Sequence, residues 1–196
     1  MNVANFLHGL LNSRLFLWIL LYIALGVETY RYVVEISFYG EYLHWTAVQS
    51  ARLIIFTLGI TPLRLFLPKP NWVRWLVRRR RDIGVAAFVY GFAHTIAYIA
   101  YKREFALILE ESGSVELWSG WVAMFMLLLL AVTSNDYSVR RLGIQWNKVH
   151  TLIYIAAPLV FLHWILTAFD PISGYIHLVV LAILLLLRLA PFNRQK

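Results

Sequence analysis

Cysteine is absent from this sequence of 196 residues, which excludes disulfides, iron–sulfur clusters and thiolate-bound haem. Covalent attachment of haem through a C-x-x-C-H motif is excluded for the same reason. Charged residues are also scarce, at 14%, where a soluble domain of ordinary composition carries about 25%. Any tightly bound cofactor must therefore use histidine or oxygen ligands, and the composition predicts a membrane protein.

Hydrophobic residues, in contrast, make up 61% of the chain. They form six apolar segments, each near the roughly 20 residues that a helix needs to cross a bilayer. The segments are approximately 14–32, 43–63, 83–101, 117–133, 149–169 and 172–189. We predict an all-α fold, an integral membrane six-helix bundle that forms a single domain over residues 1–196.

The distribution of charge predicts the orientation of this bundle. Most of the 18 basic residues fall on one side, which carries Arg14, the 64–82 and 136–148 loops and the C-terminal tail, while most acids fall on the other. The positive-inside rule then places both termini in the cytoplasm, in a bacterial inner membrane. The net charge of +8 is no sign of nucleic-acid binding, since no recognition module is present. We interpret the basic run 78–81 as an anchor at anionic membrane lipid.

Two histidines lie deep inside the apolar segments. His94 in the third segment comes thirteen residues after Arg81, and His163 in the fifth comes thirteen after His150, which follows Lys148. At about 1.5 Å per residue, each lies roughly 20 Å from its charged end, so the two share one depth. A polar group at that depth is costly unless something binds it. Two level imidazoles suit a six-coordinate haem iron; the alternative is a hydrogen bond from each to a neighbouring helix.

His150 and Arg52 are the other candidate cofactor-binding residues. His150 lies at the inner mouth of the fifth segment and is a ligand of a second haem, a quinone contact or an ordinary interfacial histidine. On an ideal helix it would be about 220° away from His163, but Pro158 between them can kink the helix. Arg52 lies eight residues beyond His44; it either pairs with a haem propionate or extends to the interface.

The remaining histidines lie near segment ends. His8 belongs to the N-terminal tail, and an interfacial side chain is the expected state for it, as for His44 and His177. The last two both fall near the outer surface, where they can approach one another, a quinone or a partner protein.

Several short motifs occur together in an order that is specific to one family. They are Ile60-Thr61-Pro62-Leu63, Arg80-Arg81 with Gly84, His94 with Tyr98, Thr133-Ser134, Arg141-Leu142-Gly143, Trp146, His150, Tyr154 and His163. In these motifs, residues 44–190 resemble the ferric reductase-like transmembrane family. The resemblance implies haem b, with His94, His150 and His163 at the positions of the family's haem histidines.

The resemblance also implies electron transfer across the inner membrane, from a cytoplasmic flavin reductase or the quinone pool to a periplasmic acceptor. In one branch of the family this acceptor is a molybdopterin-containing methionine-sulfoxide reductase. One haem b is expected, with a second as an open alternative, and a quinone or FMN as a further candidate cofactor. The alternatives are a stand-alone reductase of ferric ions or quinones and a non-redox transporter that relays protons.

The sequence contains no G-x-G-x-x-G nucleotide fingerprint and no stretch long enough for a flavin- or nicotinamide-binding domain. The chain is therefore expected to be an electron-transfer subunit whose donor and acceptor are separate molecules.

Overall fold

A computed structural model describes residues 13–189, and every regular element within them is an α-helix. The helices are α1 Arg14–Val33, α2 Tyr39–Phe66, α3 Asn71–Lys102, α4 Phe105–Glu111, α5 Val115–Val132, α6 Asp136–Leu142, α7 Ile144–His150, α8 Ile153–Thr167 and α9 Ile172–Leu189. The predicted all-α class is confirmed.

Five helical stretches are long and apolar enough to cross a membrane. They are α1, α2, α3, α5 and the combined stretch of α7 and α8, Ile144–Thr167. The sixth predicted span corresponds to α9, whose apolar part Ile172–Arg188 is just below that length. Large apolar side chains such as Phe125 and Ile176 are exposed on the outside of the bundle, as expected where lipid replaces water. The chain is a multi-pass membrane protein.

The helices pack around one apolar core. α2 packs along α3, α5 packs along α8, and α9 covers α2 and α8. Ile54 and Leu58 of α2 meet Ala87 of α3 and Phe161 of α8 in this core. Between α2 and α3, the Ser50 hydroxyl donates to the Ala87 carbonyl at 2.8 Å, an interhelical hydrogen bond of the kind that small polar residues make in membranes. The four helices α2, α3, α5 and α8 thereby form the walls of the site described below.

The predicted fifth span is not one continuous helix. α7 ends at His150 and α8 begins at Ile153, with a turn between them. Pro158 lies inside α8, where its ring crowds the carbonyl of Tyr154 and supplies no N–H to it. The irregular turn at residues 151–152 lies six to seven residues before the proline, nearly two helical turns. It puts His150 on a different helix from His163.

Most basic segments lie at one end of the bundle, which we call the basic end. The Arg14 guanidinium donates to the Asp82 carboxylate at 2.7 Å, and Arg81 donates to Asp136 at 2.6 Å. These contacts join α1 to α3 and α3 to α6. The C-terminal part of α9 reaches the same end, since Arg188 donates to the Thr61 hydroxyl at 2.6 Å.

At the opposite end, Lys102 pairs with Glu111 and the rings of Tyr39 and Tyr101 stack with centres 3.8 Å apart. This end carries the connection between α3 and α5, which contains the short helix α4.

Candidate functional site

A cavity of about 550 Å³ lies between α2, α3, α5 and α8; we call it the histidine cavity. Its volume falls within the range of about 300–1,000 Å³ that is usual for ligand and cofactor pockets. The wall is mostly apolar, with small residues where the helices approach one another. The lining includes Ala47, Gly91, His94, Gly120, Met124 and His163.

The two deep histidines face each other across this cavity. The ring centres of His94 on α3 and His163 on α8 are 6.1 Å apart, and the ring planes are nearly perpendicular, at 86°. Since a metal–imidazole bond measures about 2 Å, two imidazoles on opposite sides of one metal ion have ring centres about 6 Å apart. The structure therefore brings together the two residues that their spacing in the sequence had placed at one depth.

Backbone carbonyls hold both imidazoles in one tautomer. His94 Nδ1 lies 2.9 Å from the Leu43 carbonyl oxygen, and His163 Nδ1 lies 2.7 Å from that of Glu116. A carbonyl oxygen can only accept, so each Nδ1 carries the proton and each Nε2 keeps its lone pair. Hydrogen bonds of this kind orient metal-binding imidazoles in general. The site thus offers two neutral nitrogen ligands.

Gly120 makes room for one of these rings. A Cβ atom at this position would lie 2.8 Å from Nδ1 and 2.9 Å from Cε1 of His163. Such contacts are shorter than van der Waals distances, so the close approach of the imidazole to α5 depends on the absence of a side chain. By contrast, a Cβ atom at Gly26 would meet nothing within 4 Å.

The ligand set fits a haem better than a bare metal ion. Among residues 13–189, no group of three or more His, Cys, Asp or Glu side chains could hold an ion, whereas a haem iron needs only two axial ligands from the protein. Trp164 also lines the histidine cavity, and its Nε1 is buried with no hydrogen-bond partner in that same part of the chain. The paired imidazoles, the apolar wall and the space beside Gly120 fit a porphyrin.

His150 lies in a second, smaller cavity of about 270 Å³ at the basic end. We call it the arginine cavity, and its polar lining includes Arg80, Arg81, Ser134, Asn147, His150 and Arg188. His150 Nε2 lies 3.2 Å from the Thr133 hydroxyl, and the imidazole stacks on Trp146 with ring centres 3.8 Å apart. The structure does not bring His150 to the other two histidines, and α3 presents arginine to this cavity.

Arg52 lines neither cavity. Its neighbour Ala51 is buried, but Arg52 itself is exposed on the outer face of α2. Of its two sequence-based interpretations, this position favours the one in which the guanidinium extends along its own stem to the interface.

The other histidines have separate environments. His44 lines the histidine cavity, and its ring centre lies 6.4 Å from that of Trp164. The His177 ring lies 5.1 Å from the same tryptophan, so His44 and His177 flank one indole. His8 lies outside the described residues.

Sequence reasoning missed the groups that support the ligands. The acceptors at Leu43 and Glu116 are main-chain carbonyls, which carry no residue-specific signal. Gly120 carries no signal of its own, since nothing in the sequence pairs it with His163. The contact of Arg188 with Thr61 depends on how α9 packs, which the sequence does not show.

Fold and site together define a multi-pass helical membrane protein with a cofactor-sized cavity closed by two facing histidines. Residues 44–161 match the family model described as "Ferric reductase like transmembrane component", and the chain belongs to this family. The matched range includes His94 and His150 and ends two residues before His163.

Individual relatives carry a more specific name. The chain is 37% identical over 128 residues to the protein-methionine-sulfoxide reductase heme-binding subunit MsrQ of Rhizobium meliloti (strain 1021), which covers 63% of this chain and 56% of that protein. It is 31% identical over 158 residues to the MsrQ subunit of Brucella ovis, covering 78% and 70% respectively. The match thus spans little more than half the length of the Rhizobium relative. No solved structure shows a significant match.

Proposed function

We propose that this chain binds haem b in the histidine cavity, with the Nε2 atoms of His94 and His163 as axial ligands. The observation that carries the proposal is the pair of imidazoles 6.1 Å apart with both Nδ1 atoms bound to carbonyls. The name of the MsrQ relatives, heme-binding subunit, supports it. The absence of cysteine excludes attachment of a c-type haem, which supports a non-covalently bound haem such as haem b.

When bound, a haem would supply one-electron chemistry, and holding it with both His94 and His163 would favour electron transfer over oxygen activation. The residues of this chain would determine how readily the haem exchanges an electron and at what reduction potential. The carbonyls of Leu43 and Glu116 hold the imidazoles in the ligating tautomer, so little reorganisation accompanies a change of charge. The apolar wall excludes water and thereby influences the reduction potential.

The chain is proposed to pass electrons across the bacterial inner membrane. The basic end collects Arg14, Arg81 and Arg188, and this clustering supports a cytoplasmic location for that end and for both termini. Leu43 and Glu116, which hold the haem ligands, belong to the first two turns of α2 and α5 at the opposite end. The haem would then lie in the periplasmic half of the membrane.

The proposed partners come from the family resemblance and agree with this orientation. The donor is a cytoplasmic flavin reductase or a quinol, and the acceptor is a periplasmic molybdopterin-containing methionine-sulfoxide reductase, in keeping with the name of the MsrQ relatives. The site supports a subunit that conducts electrons, because a haem held by both His94 and His163 would have no position left for a substrate.

The haem is tested by absorption spectroscopy of the purified protein. We expect a reduced-minus-oxidised spectrum of low-spin haem b, and complete loss of this signal in both His94→Ala and His163→Ala. His150→Ala is the matched control and should keep the signal, because His150 lies in the arginine cavity. A colourless protein from haem-replete cells, or equal haem loss in all three variants, would contradict the assignment.

The orientation is tested by labelling single cysteines, for which the cysteine-free chain provides a clean background. Arg140→Cys at the basic end and Glu110→Cys at the opposite end are treated with a membrane-impermeant maleimide in spheroplasts. Only Glu110→Cys should react before the membrane is permeabilised. The reverse pattern would invert the proposed topology.

Two other functions predict different results. Reduction of ferric chelates by the chain and a cytoplasmic donor, without a periplasmic protein, would favour a stand-alone reductase. Proton flux through haem-free protein in proteoliposomes would favour a transporter. Electron delivery to a purified methionine-sulfoxide reductase that is lost in His94→Ala would support the proposed subunit over both.

A further inference from the structure

We propose that the arginine cavity binds a phosphate ester between the guanidinium groups of Arg80 and Arg188. The cavity lies at the basic end, is lined by both arginines together with Arg81, and has no acidic residue in its lining. This inference does not depend on the haem, since the two cavities use different polar residues.

The arginines of the basic end differ in how they are paired. Arg81 donates to the Asp136 carboxylate at 2.6 Å, and Arg79 lies 3.9 Å from Asp82. Within residues 13–189, neither Arg80 nor Arg188 forms an ion pair with a carboxylate. Of the three arginines that line the cavity, Arg80 and Arg188 are therefore the two whose charge no carboxylate of the described residues compensates.

Two contacts hold the Arg188 guanidinium in place, but one of its two terminal nitrogens has no hydrogen-bond partner in the described residues. Its Nη2 donates to the Thr61 hydroxyl at 2.6 Å, and its guanidinium carbon lies 5.3 Å from the centre of the Tyr154 ring. Its Nη1 is buried and has no hydrogen-bond partner in the described part of the chain. A buried donor without a partner costs about 1–3 kcal/mol, and more when it is charged, so the geometry calls for an anionic acceptor.

Phosphate suits this pair of arginines. A guanidinium presents its donors in a planar fork that matches phosphate oxygens in two-point hydrogen bonds. Two arginines in one cavity repel each other unless an anion lies between them, and a phosphate group accepts from both. The cavity has about half the volume of the histidine cavity, at 270 against 550 Å³, which favours a phosphate-bearing group over a second porphyrin.

The phosphate can come from two sources. Basic cavities between membrane helices on the cytoplasmic side bind the head groups of anionic phospholipids. A soluble phosphate ester entering from the water at the basic end would meet the same donors. Both are phosphate esters, and the experiment separates them.

The test compares wild type with Arg80→Gln and Arg188→Gln. Arg140→Gln is the matched control, because Arg140 is an exposed arginine of the same end that lines neither cavity. The lipid arm measures the thermal midpoint in nanodiscs of phosphatidylcholine with and without phosphatidylglycerol. The soluble arm titrates inorganic phosphate into detergent-solubilised protein. Charge-assisted hydrogen bonds contribute about 1.5–3 kcal/mol. Each cavity variant should therefore lower the affinity for the ligand that stabilises the wild type by about tenfold or more.

Stabilisation by phosphatidylglycerol alone would identify a lipid head group, and saturable stabilisation by phosphate would identify a soluble ester. Either result supports the site if Arg80→Gln and Arg188→Gln lose the stabilisation and Arg140→Gln keeps it. Circular dichroism and gel filtration establish that each variant is folded. Arg188→Lys, which keeps a charge, should retain part of the effect if Arg188→Gln proves unstable. No stabilisation in either arm, the same response in all variants, or a second haem per chain that is lost in Arg80→Gln would overturn the proposal.

Discussion

The two cavities of this bundle share the helices α2, α3, α5 and α8 but satisfy their polar groups in opposite ways. In the histidine cavity, the imidazoles donate to main-chain carbonyls through Nδ1, which leaves the Nε2 lone pair of each available to a ligand. In the arginine cavity, Arg188 and Arg81 donate hydrogen bonds to the side chains of Thr61 and Asp136. A second, buried donor of Arg188 has no partner within residues 13–189. The first arrangement suits a metal that needs electron-pair donors, and the second suits an anion.

The position of each cavity explains this difference. Deep in the membrane a charge is costly, so a site there is built from neutral groups that the backbone can satisfy. Near the interface, arginine can be accommodated because water and lipid head groups lie within reach. If the two cavities are independent, a substitution that alters one of them should leave the other unchanged.

Gly120→Ala should produce the largest effect, confined to the histidine cavity. The new methyl group would lie 2.8 Å from His163 Nδ1, so the imidazole must move away from the Glu116 carbonyl. Overpacking of this kind costs about 1–3 kcal/mol, which corresponds to a loss of haem affinity of about 5- to 150-fold. Haem content per chain measures it. Gly26→Ala is the control and should leave haem content unchanged; equal behaviour of the two variants would refute the role of Gly120.

Asp82→Asn should have an intermediate effect, confined to the basic end. The carboxylate is buried, with 4% of the residue exposed, and accepts from Arg14 at 3.0 and 2.7 Å. Loss of its charge should lower the free energy of unfolding by about 1.5–3 kcal/mol, as for other hydrogen bonds to charged groups. The thermal midpoint in detergent should fall while the haem spectrum of folded protein stays unchanged. A shifted spectrum would show that the two ends are coupled.

Acidification should have the smallest effect, at the exposed contact between α3 and α6. The hydrogen bond from Arg81 lowers the pKa of the Asp136 carboxyl below its ordinary value of 3.8. A lowered pKa in the folded state means that the contact stabilises the protein above the ordinary pKa and is lost as the pH falls through the lowered value. Amide exchange in α6 should accelerate only in that acidic range. Asp136→Asn should remove the pH dependence, and persistence of the effect in that variant would exclude this ion pair as its cause.

Counting residues was enough to match the depth of the histidines. His94 lies thirteen residues after Arg81 and His163 thirteen after His150, and the helical rise makes these two distances similar. The short turn between α7 and α8 does not separate the two levels, since the ring centres are 6.1 Å apart. The helix bounds were less predictable. α3 begins at Asn71, well before the predicted start at residue 83, because the basic run 78–81 is helical although it is not apolar.

The sequence did not predict how each helix is rotated about its own axis, and therefore which side chains point into the bundle. Arg52 was a candidate for a haem propionate on the basis of its depth alone, yet α2 turns its neighbour Ala51 inward and Arg52 outward. For His150, an ideal helix gave a position about 220° away from His163 and left three roles open, whereas the structure places it in the arginine cavity. Depth is a one-dimensional property of the chain, while the direction of a side chain depends on which neighbours the helix meets.

By itself, the sequence determined the helical membrane class, the family and the level at which two imidazoles lie, because hydropathy and helical rise are local properties. Only the tertiary structure decided that these rings face each other 6.1 Å apart, that carbonyls of two other helices set their tautomer, and that Arg80 and Arg188 share a cavity. These features are distances between helices far apart in the chain, and packing alone sets them.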